Sequence, residues 1–388
     1  MPRQLLFLPG PVSVAQPVAE ALARPMTDHR GAEFAQMLQR ITNTLRPVFG
    51  TASDLVLLGS SGTGALETAV ANLFSPGDRV LSCAVGLFGR RFAAIAESYG
   101  CVVESLDAPM GSALDPEALD ARLRRDTENV ISGVLLTHNE TSTGVTNDMA
   151  AIAPSLRRHG AITLVDSISG LGASEFRMDE WGYDVVVGAS QKAFAAPPGI
   201  AMVAASERAW NRVARTRQPR FYFDLQRARD AAREGQMPWT PPIPILFALD
   251  VALQRYHEGG ASTAHARHAR YAAAVRSALE ALGFTLFSQP GAHSPTVVAA
   301  YPPTGVEISA LVKRLREEHG VVLSGGQGEL AGKILRFGTM GDIAEKDLIG
   351  AIGAIELALL ALGVTVMPGA GTTAATESLS GRVTSGVA

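Results

Sequence analysis

The chain has 388 residues, is 47% hydrophobic and carries a formal charge of -3, so it can bury one large core plus a smaller one. That balance gives no electrostatic case for nucleic acid or an anionic membrane as partner. Two cysteines exclude a disulfide scaffold and point to a reducing compartment.

The first apolar stretch, LLFL, is broken by Pro9 and Pro11, too short for a signal sequence or a membrane span; a cytoplasmic protein is expected. Strand-length apolar runs then alternate with helical patterns. DLVLLG leads into GALETAVANLF, and DRVLSCAVG into RRFAAIAESYG. CVVESLDA precedes a helix whose start is marked by Asp115 as N-cap, Pro116 and Glu117. VISGVLLTH, AITLVD, DVVVGAS and GIAMVAAS continue the series. Cys83 and Cys101 lie in such runs and read as core residues. Nearly unbroken β-branched strands imply a sheet covered on both faces, hence an α/β fold with a mainly parallel, doubly wound sheet.

PILFALDVALQRYHEGG reads as a helix linking this domain to a smaller α+β unit. The predicted divisions are an N-terminal segment (1–20), a large domain (21–258), a small C-terminal domain (259–364) and a tail (365–388). The tail is small, polar and glycine-rich, and is expected to be disordered. His265 and His268, three apart on a helix, have no third ligand beside them and read as a solvated face; no metal is expected.

Ligands of such sheets bind beyond the carboxyl ends of the strands. Two strand ends carry opposite charges: AITLVD ends at Asp166 and DVVVGASQK at Lys192. Either alone reads as a surface or loop residue. Together they suit pyridoxal 5'-phosphate, whose aldehyde is held by a lysine and whose protonated ring nitrogen faces a carboxylate. Partial desolvation lowers the lysine pKa toward the free amine that can add to the aldehyde. In GSSGTGALE, Ser61, Gly62 and Thr63 open a helix whose N–H groups and dipole suit a phosphate. Phe88 in VGLFGRR could stack on a flat ring. In THNETSTG, Asn139, Glu140, Thr141 and Ser142 are suited to a phenolic oxygen or substrate.

These segments, with LVDSISGLG, SQKAFAAPPG and KILRFGTMG, resemble the class V aminotransferases of fold-type I, in particular the alanine–glyoxylate and serine–glyoxylate (serine–pyruvate) aminotransferases. The resemblance runs from LPGPVSV to about Gly363. It implies Lys192 as the Schiff-base lysine and catalytic base, Asp166 as partner of the ring nitrogen and Phe88 in the stacking position. It further implies Ser61, Gly62, Thr63 and Gln191 around the phosphate and Thr141 by the ring hydroxyl. Thr63 replaces a histidine of some members. Thr240 in MPWTPP matches a threonine that reaches the phosphate of the neighbouring subunit, which implies a homodimer with shared active sites. Trp239 stands where tyrosine or histidine is usual, so it bears on pocket shape. Arg336 matches the arginine that grips the substrate carboxylate; a planar fork of donors binds that group bidentately. His29 or Arg30, in HRGAEF, could reach the partner's site.

The reaction this implies moves an amino group from a small amino acid, alanine or serine, to a 2-oxo acid such as glyoxylate. The same scaffold and cofactor also serve pyridoxamine–pyruvate and ureidoglycine–glyoxylate exchange, and some members carry names implying association with a hydrogenase, that is, a non-catalytic subunit. A desulfurase would need a late, mobile cysteine. None follows Cys101.

Overall fold

The computed structural model describes residues 4–381. Its central sheet has seven strands in the order Leu55–Gly59, Ile200–Ala205, Val185–Ala189, Ile162–Asp166, Ile131–Thr137, Arg79–Cys83 and Val102–Ser105. All neighbours run parallel except Ile200–Ala205, which is antiparallel to both of its partners. Residues alternate between the faces with the period of two that a strand imposes. Leu55 and Leu57 enter one buried cluster with Val186 and Met202, while Val56 and Leu58 enter another with Val185, Val187 and Val203. Helices therefore cover both faces, as the hydrophobic runs predict. Cys83 and Cys101 are buried and free.

The antiparallel strand has a local cause. After Ala189 the chain runs through Lys192 to Pro197, Pro198 and Gly199, where Gly199 adopts φ +136°, and returns to pair Ala201 with Ala189. Ser190 Oγ donates to the Pro197 carbonyl at 2.6 Å, tying the loop across its neck. Lys192 thus sits in a braced hairpin loop at the sheet's edge of chemistry.

A four-stranded antiparallel sheet, ordered Thr285–Leu286, Val297–Tyr301, Leu335–Gly338 and Ser324–Gly325, forms the second layer system. Its core joins Val298, Leu335 and Phe337 to apolar residues of helices Ala261–Ala281, Ile308–His319 and Glu345–Ala361. The N-terminal segment belongs partly to this body: Leu5–Leu6 pairs with Val321–Val322, and Phe7 is buried in the same cluster.

Two expectations are corrected. Residues Ala370–Ser380 form a helix where a disordered tail was expected. Its small residues allow close approach, since a Cβ on Gly371 would lie 2.9 Å from Leu282, and Ala375 and Leu379 are buried. Glu356 accepts from the N–H groups of Gly369 and Thr372, capping that helix from its neighbour. The rest of the tail, residues 382–388, lies outside the described residues. His268 is buried rather than solvated, with Nδ1 2.7 Å from the Ala264 carbonyl, and burial pulls its pKa down to about 3. Among the described residues no helix is long and apolar enough to cross a membrane.

Candidate active site

Strand ends and helix starts converge on a cavity of about 230 Å³, lined by nine of the residues singled out above: Ser61, Gly62, Thr63, Phe88, Asn139, Thr141, Asp166, Gln191 and Lys192. Asp166 ends its strand with the side chain buried. One carboxylate oxygen accepts from the Ile168 N–H at 3.0 Å, and the other has no hydrogen-bond donor among the described residues. Burial pushes its pKa up to about 7, against the pull of the Ile168 N–H. A buried carboxylate so placed gains most from a cationic donor.

Lys192 Nζ donates to the Pro9 carbonyl at 2.7 Å. Burial lowers its pKa to about 8; Asp166 opposes the shift and Arg336 adds to it. Only the free amine adds to an aldehyde. Capture of pyridoxal phosphate by cofactor-free protein should accordingly rise about tenfold per pH unit below 8 and level off above it; stopped-flow absorbance of the bound chromophore measures this.

Ser61 caps helix Gly62–Leu73 by accepting from the Gly64 N–H at 3.4 Å. Gly62 has no room for a side chain: a Cβ there would lie 2.5 Å from Ile168 Cδ1. The start of this helix lines the cavity, where its N–H groups and dipole suit an anion. Phe88 is the second residue of helix Leu87–Ser98, with the Arg91 guanidinium 4.7 Å from its ring centroid.

Arg336 lies in the strand Leu335–Gly338, 5% exposed. Nε donates to the Gly325 carbonyl at 2.8 Å, and Nη1 to the Thr141 carbonyl and Gln327 Oε1 at 3.2 and 3.3 Å. Nη2 has no partner among the described residues. Arg336 is close enough to influence the Lys192 amine but does not itself line the cavity.

Three expected residues lie elsewhere in the single chain. Thr240 is exposed, in a separate cleft with Gly59, Tyr222 and Trp239. Trp239 stacks on Phe221 and Tyr222, with centroids 5.0 and 5.9 Å apart, and its Nε1 donates to the Tyr222 carbonyl. His29 is half-buried and also outside the cavity. Of the four residues in THNETSTG, Asn139 and Thr141 line the cavity, whereas Glu140 turns away to bind backbone.

Sequence reasoning missed Gly10, Arg91 and Ser169, which complete the lining with Leu66 and Ile168. Gly10 carries a signal of its own: φ is +135°, and a Cβ would stand 2.5 Å from Lys192 Nζ. His138 was also missed. It packs behind Asp166, donating its backbone N–H to the Asp166 carbonyl, with Nδ1 2.8 Å from Ser167 Oγ. Burial holds its pKa near 4, so it is a neutral support.

The donors and acceptors left over describe a ligand. Asn139 Oδ1 and Gln191 Oε1 are buried without partners, and such atoms are costly unless something binds them. With the half-free Asp166 carboxylate, a depressed lysine and a helix N-terminus, this set fits a phosphorylated pyridine aldehyde.

The profile of the family described as Aminotransferase class-V matches residues 18–336. The chain belongs to the class V aminotransferases. Pyridoxal phosphate is the cofactor of this family, and the α/β fold is fold-type I. A protein named "Soluble hydrogenase, small subunit" from Synechococcus sp. (strain PCC 6716) is 37% identical, over 97% of this chain and 99% of its own length. L-Aspartate–glyoxylate aminotransferase of Paracoccus denitrificans (strain Pd 1222) is 35% identical, over 96% and 95%. The structure of pyridoxamine–pyruvate aminotransferase from Mesorhizobium loti matches with TM-score 0.93 and 29% identity, over 98% of each chain.

Proposed function

We propose that this class V aminotransferase transfers the amino group of a small amino acid, alanine or serine, to glyoxylate. The observation that carries the reading is the pairing of Lys192 and Asp166 in one cavity, with Arg336 beside it. When bound, pyridoxal phosphate supplies a sink for the electron pair released at the substrate Cα. Asp166, ionised against the ring nitrogen, keeps positive charge where that sink needs it. Arg336 fixes the α-carboxylate, which sets the Cα–H bond within reach of Lys192. The Lys192 amine would take the Cα proton and return it at the cofactor carbon on the other side of the amino nitrogen, acting as base and then acid. Acting on 2-oxo acid in reverse, the same groups complete the exchange.

One assay tests this: purified protein, glyoxylate, and each candidate amino acid in turn, with glycine formation measured. Alanine or serine should give the fastest conversion. Glycine from none of them overturns transamination to glyoxylate and favours the non-catalytic reading that the Synechococcus name suggests. A second donor class has a specific observation behind it. Arg91 adds another cation to the cavity lining, which suits a second carboxylate such as that of aspartate. Preference for aspartate in the same panel would replace the small-donor reading.

Arg336→Lys keeps the charge and loses the fork. KM for the amino donor should rise about tenfold or more, since a hydrogen bond to a charged group is worth roughly 1.5–3 kcal/mol; steady-state kinetics read this directly.

We read the protein as a cytoplasmic homodimer. Phe221 and Tyr222 are 65% and 52% exposed beside Trp239 and Thr240, an apolar, aromatic surface of the kind that partner chains cover. Light scattering should give twice the chain mass.

A further inference from the structure

Glu140 is fully buried, and donors fill both its oxygens. Oε2 accepts the N–H groups of Phe88 and Gly89 at 2.9 and 3.1 Å; Oε1 accepts the N–H and the hydroxyl of Ser142 at 3.0 and 2.7 Å. Burial raises the pKa of Glu140, and the three N–H groups and the Ser142 hydroxyl pull it back down. The carboxyl sits at the N-terminus of helix Leu87–Ser98, where free N–H groups and the dipole favour negative charge. The residue at that helix's own cap is Gly86, which supplies no side chain. A Cβ on Gly86 would lie 2.5 Å from both Glu140 Cγ and Ser142 Oγ, so bare backbone is what lets the carboxylate in. Ser142 Oγ extends the network by accepting from the Leu87 N–H at 2.9 Å.

The next residue turns the other way. The Thr141 carbonyl accepts from Arg336 Nη1, while Asn139 donates to Ser169 Oγ and Thr296 Oγ1 at 2.8 and 2.9 Å. One tight loop therefore holds the helix start that carries Phe88 on one side and the Arg336 guanidinium on the other. Burying a carboxyl group is a costly way to cap a helix when serine or aspartate at the cap position would serve. The gain is rigidity at two points, Phe88 in the cavity lining and Arg336 just behind it.

We propose that Glu140 is a positioning residue for the reaction, holding Phe88 against the cofactor ring and, through the Thr141 carbonyl, Arg336 toward the substrate carboxylate. This rests on the proposed roles of Phe88 and Arg336 in the Lys192 cavity.

The test uses holoenzyme saturated with pyridoxal phosphate. Glu140→Gln keeps the length and exchanges one oxygen for an NH2 that cannot accept, so either the Phe88 and Gly89 N–H groups or the Ser142 N–H lose their partner. Visible circular dichroism per bound cofactor should fall at least about twofold, and KM for the amino donor should rise about tenfold. The double variant Glu140→Gln/Phe88→Ala should lose no more dichroism than Phe88→Ala alone, because the two act on one element. Additive losses, or a lowered melting temperature with dichroism and KM unchanged, overturn the proposal. Should Glu140→Gln not fold, Ser142→Ala removes one donor and leaves the carboxyl; it should move both readouts the same way by a smaller factor, and no movement in either overturns the proposal equally. A wild-type protein that binds no chromophore would instead refute the underlying site reading, before any variant is made.

Discussion

Lys192→Ala should abolish transamination, with kcat down by at least ~10⁴-fold, while the protein still binds pyridoxal phosphate without a covalent link. The loss exceeds that of an ordinary proton-transfer group, worth roughly 10²–10⁴, because the same amine is proposed both to carry the cofactor and to move the Cα proton. The remaining contacts explain the retained binding. Ser61, Gly62, Thr63 and the helix dipole are proposed to hold the phosphate, and Asp166 the ring nitrogen; all line the cavity independently of Lys192. Absorbance after gel filtration reports the cofactor that stays, borohydride treatment reports whether it is covalent, and a coupled assay reports turnover. Activity near the wild-type level would remove Lys192 from the chemistry, whatever its position.

Asp166→Asn should lower kcat by about 10²-fold or more, with a smaller effect on cofactor affinity. The amide fills the same space and can still accept from the Ile168 N–H, but it cannot hold a proton on the ring nitrogen. Losing one electrostatic contact in a water-excluded site typically costs that much. The direction of the Asp166 pKa sharpens the expectation. Burial holds the carboxyl near 7 although Lys192 and Arg91 pull it down; a bound pyridinium would draw it down further, and by reciprocity the carboxylate would raise the pKa of the ring nitrogen. Reconstitution with a cofactor analogue lacking a basic ring nitrogen should then reproduce the Asp166→Asn defect in wild-type protein and add little to it in the variant. A full further loss in the variant would show that Asp166 acts by another route.

Much of this site could be read from local sequence, because each strand of the central sheet is a short branched run whose last residue must fall at the same edge. Asp166 and Lys192 are legible for that reason, as are Ser61 to Thr63 at a helix start and Arg336 within KILRFG. What was not legible depends on contacts between distant segments. Nothing local to Pro9 or Gly10 announces that they meet Lys192, 183 positions away for Pro9. Arg91 reads as another basic residue of an exposed helix face, and it is exposed, yet it also lines the cavity. Glu140 has the composition of a ligand-binding residue, yet its partners are the backbone N–H groups of Phe88 and Gly89, which no side-chain motif encodes. The helix Ala370–Ser380 was missed because small polar residues suggest a disordered tail; here they are what allows close packing on Ala261–Ala281. Thr240, Trp239 and His29 fit the family pattern but lie apart from Lys192 within one chain.

The N-terminal strap also has a consequence for biosynthesis. Residues 5–13 leave the ribosome more than 300 residues ahead of their partners: Leu5–Leu6 pairs with Val321–Val322, the Phe7 carbonyl accepts from Gly338, and the Ser13 carbonyl from Asp342. Only when that strap is seated does Pro9 offer its carbonyl to Lys192. The large sheet can assemble while translation continues, in the usual N-terminal-first order, but the lysine's surroundings stay unfinished until residue 342 has emerged. A stalled or shortened chain should therefore be a folded sheet without a working centre, and a bulky fusion at residue 1 would tax the last step of maturation rather than the first.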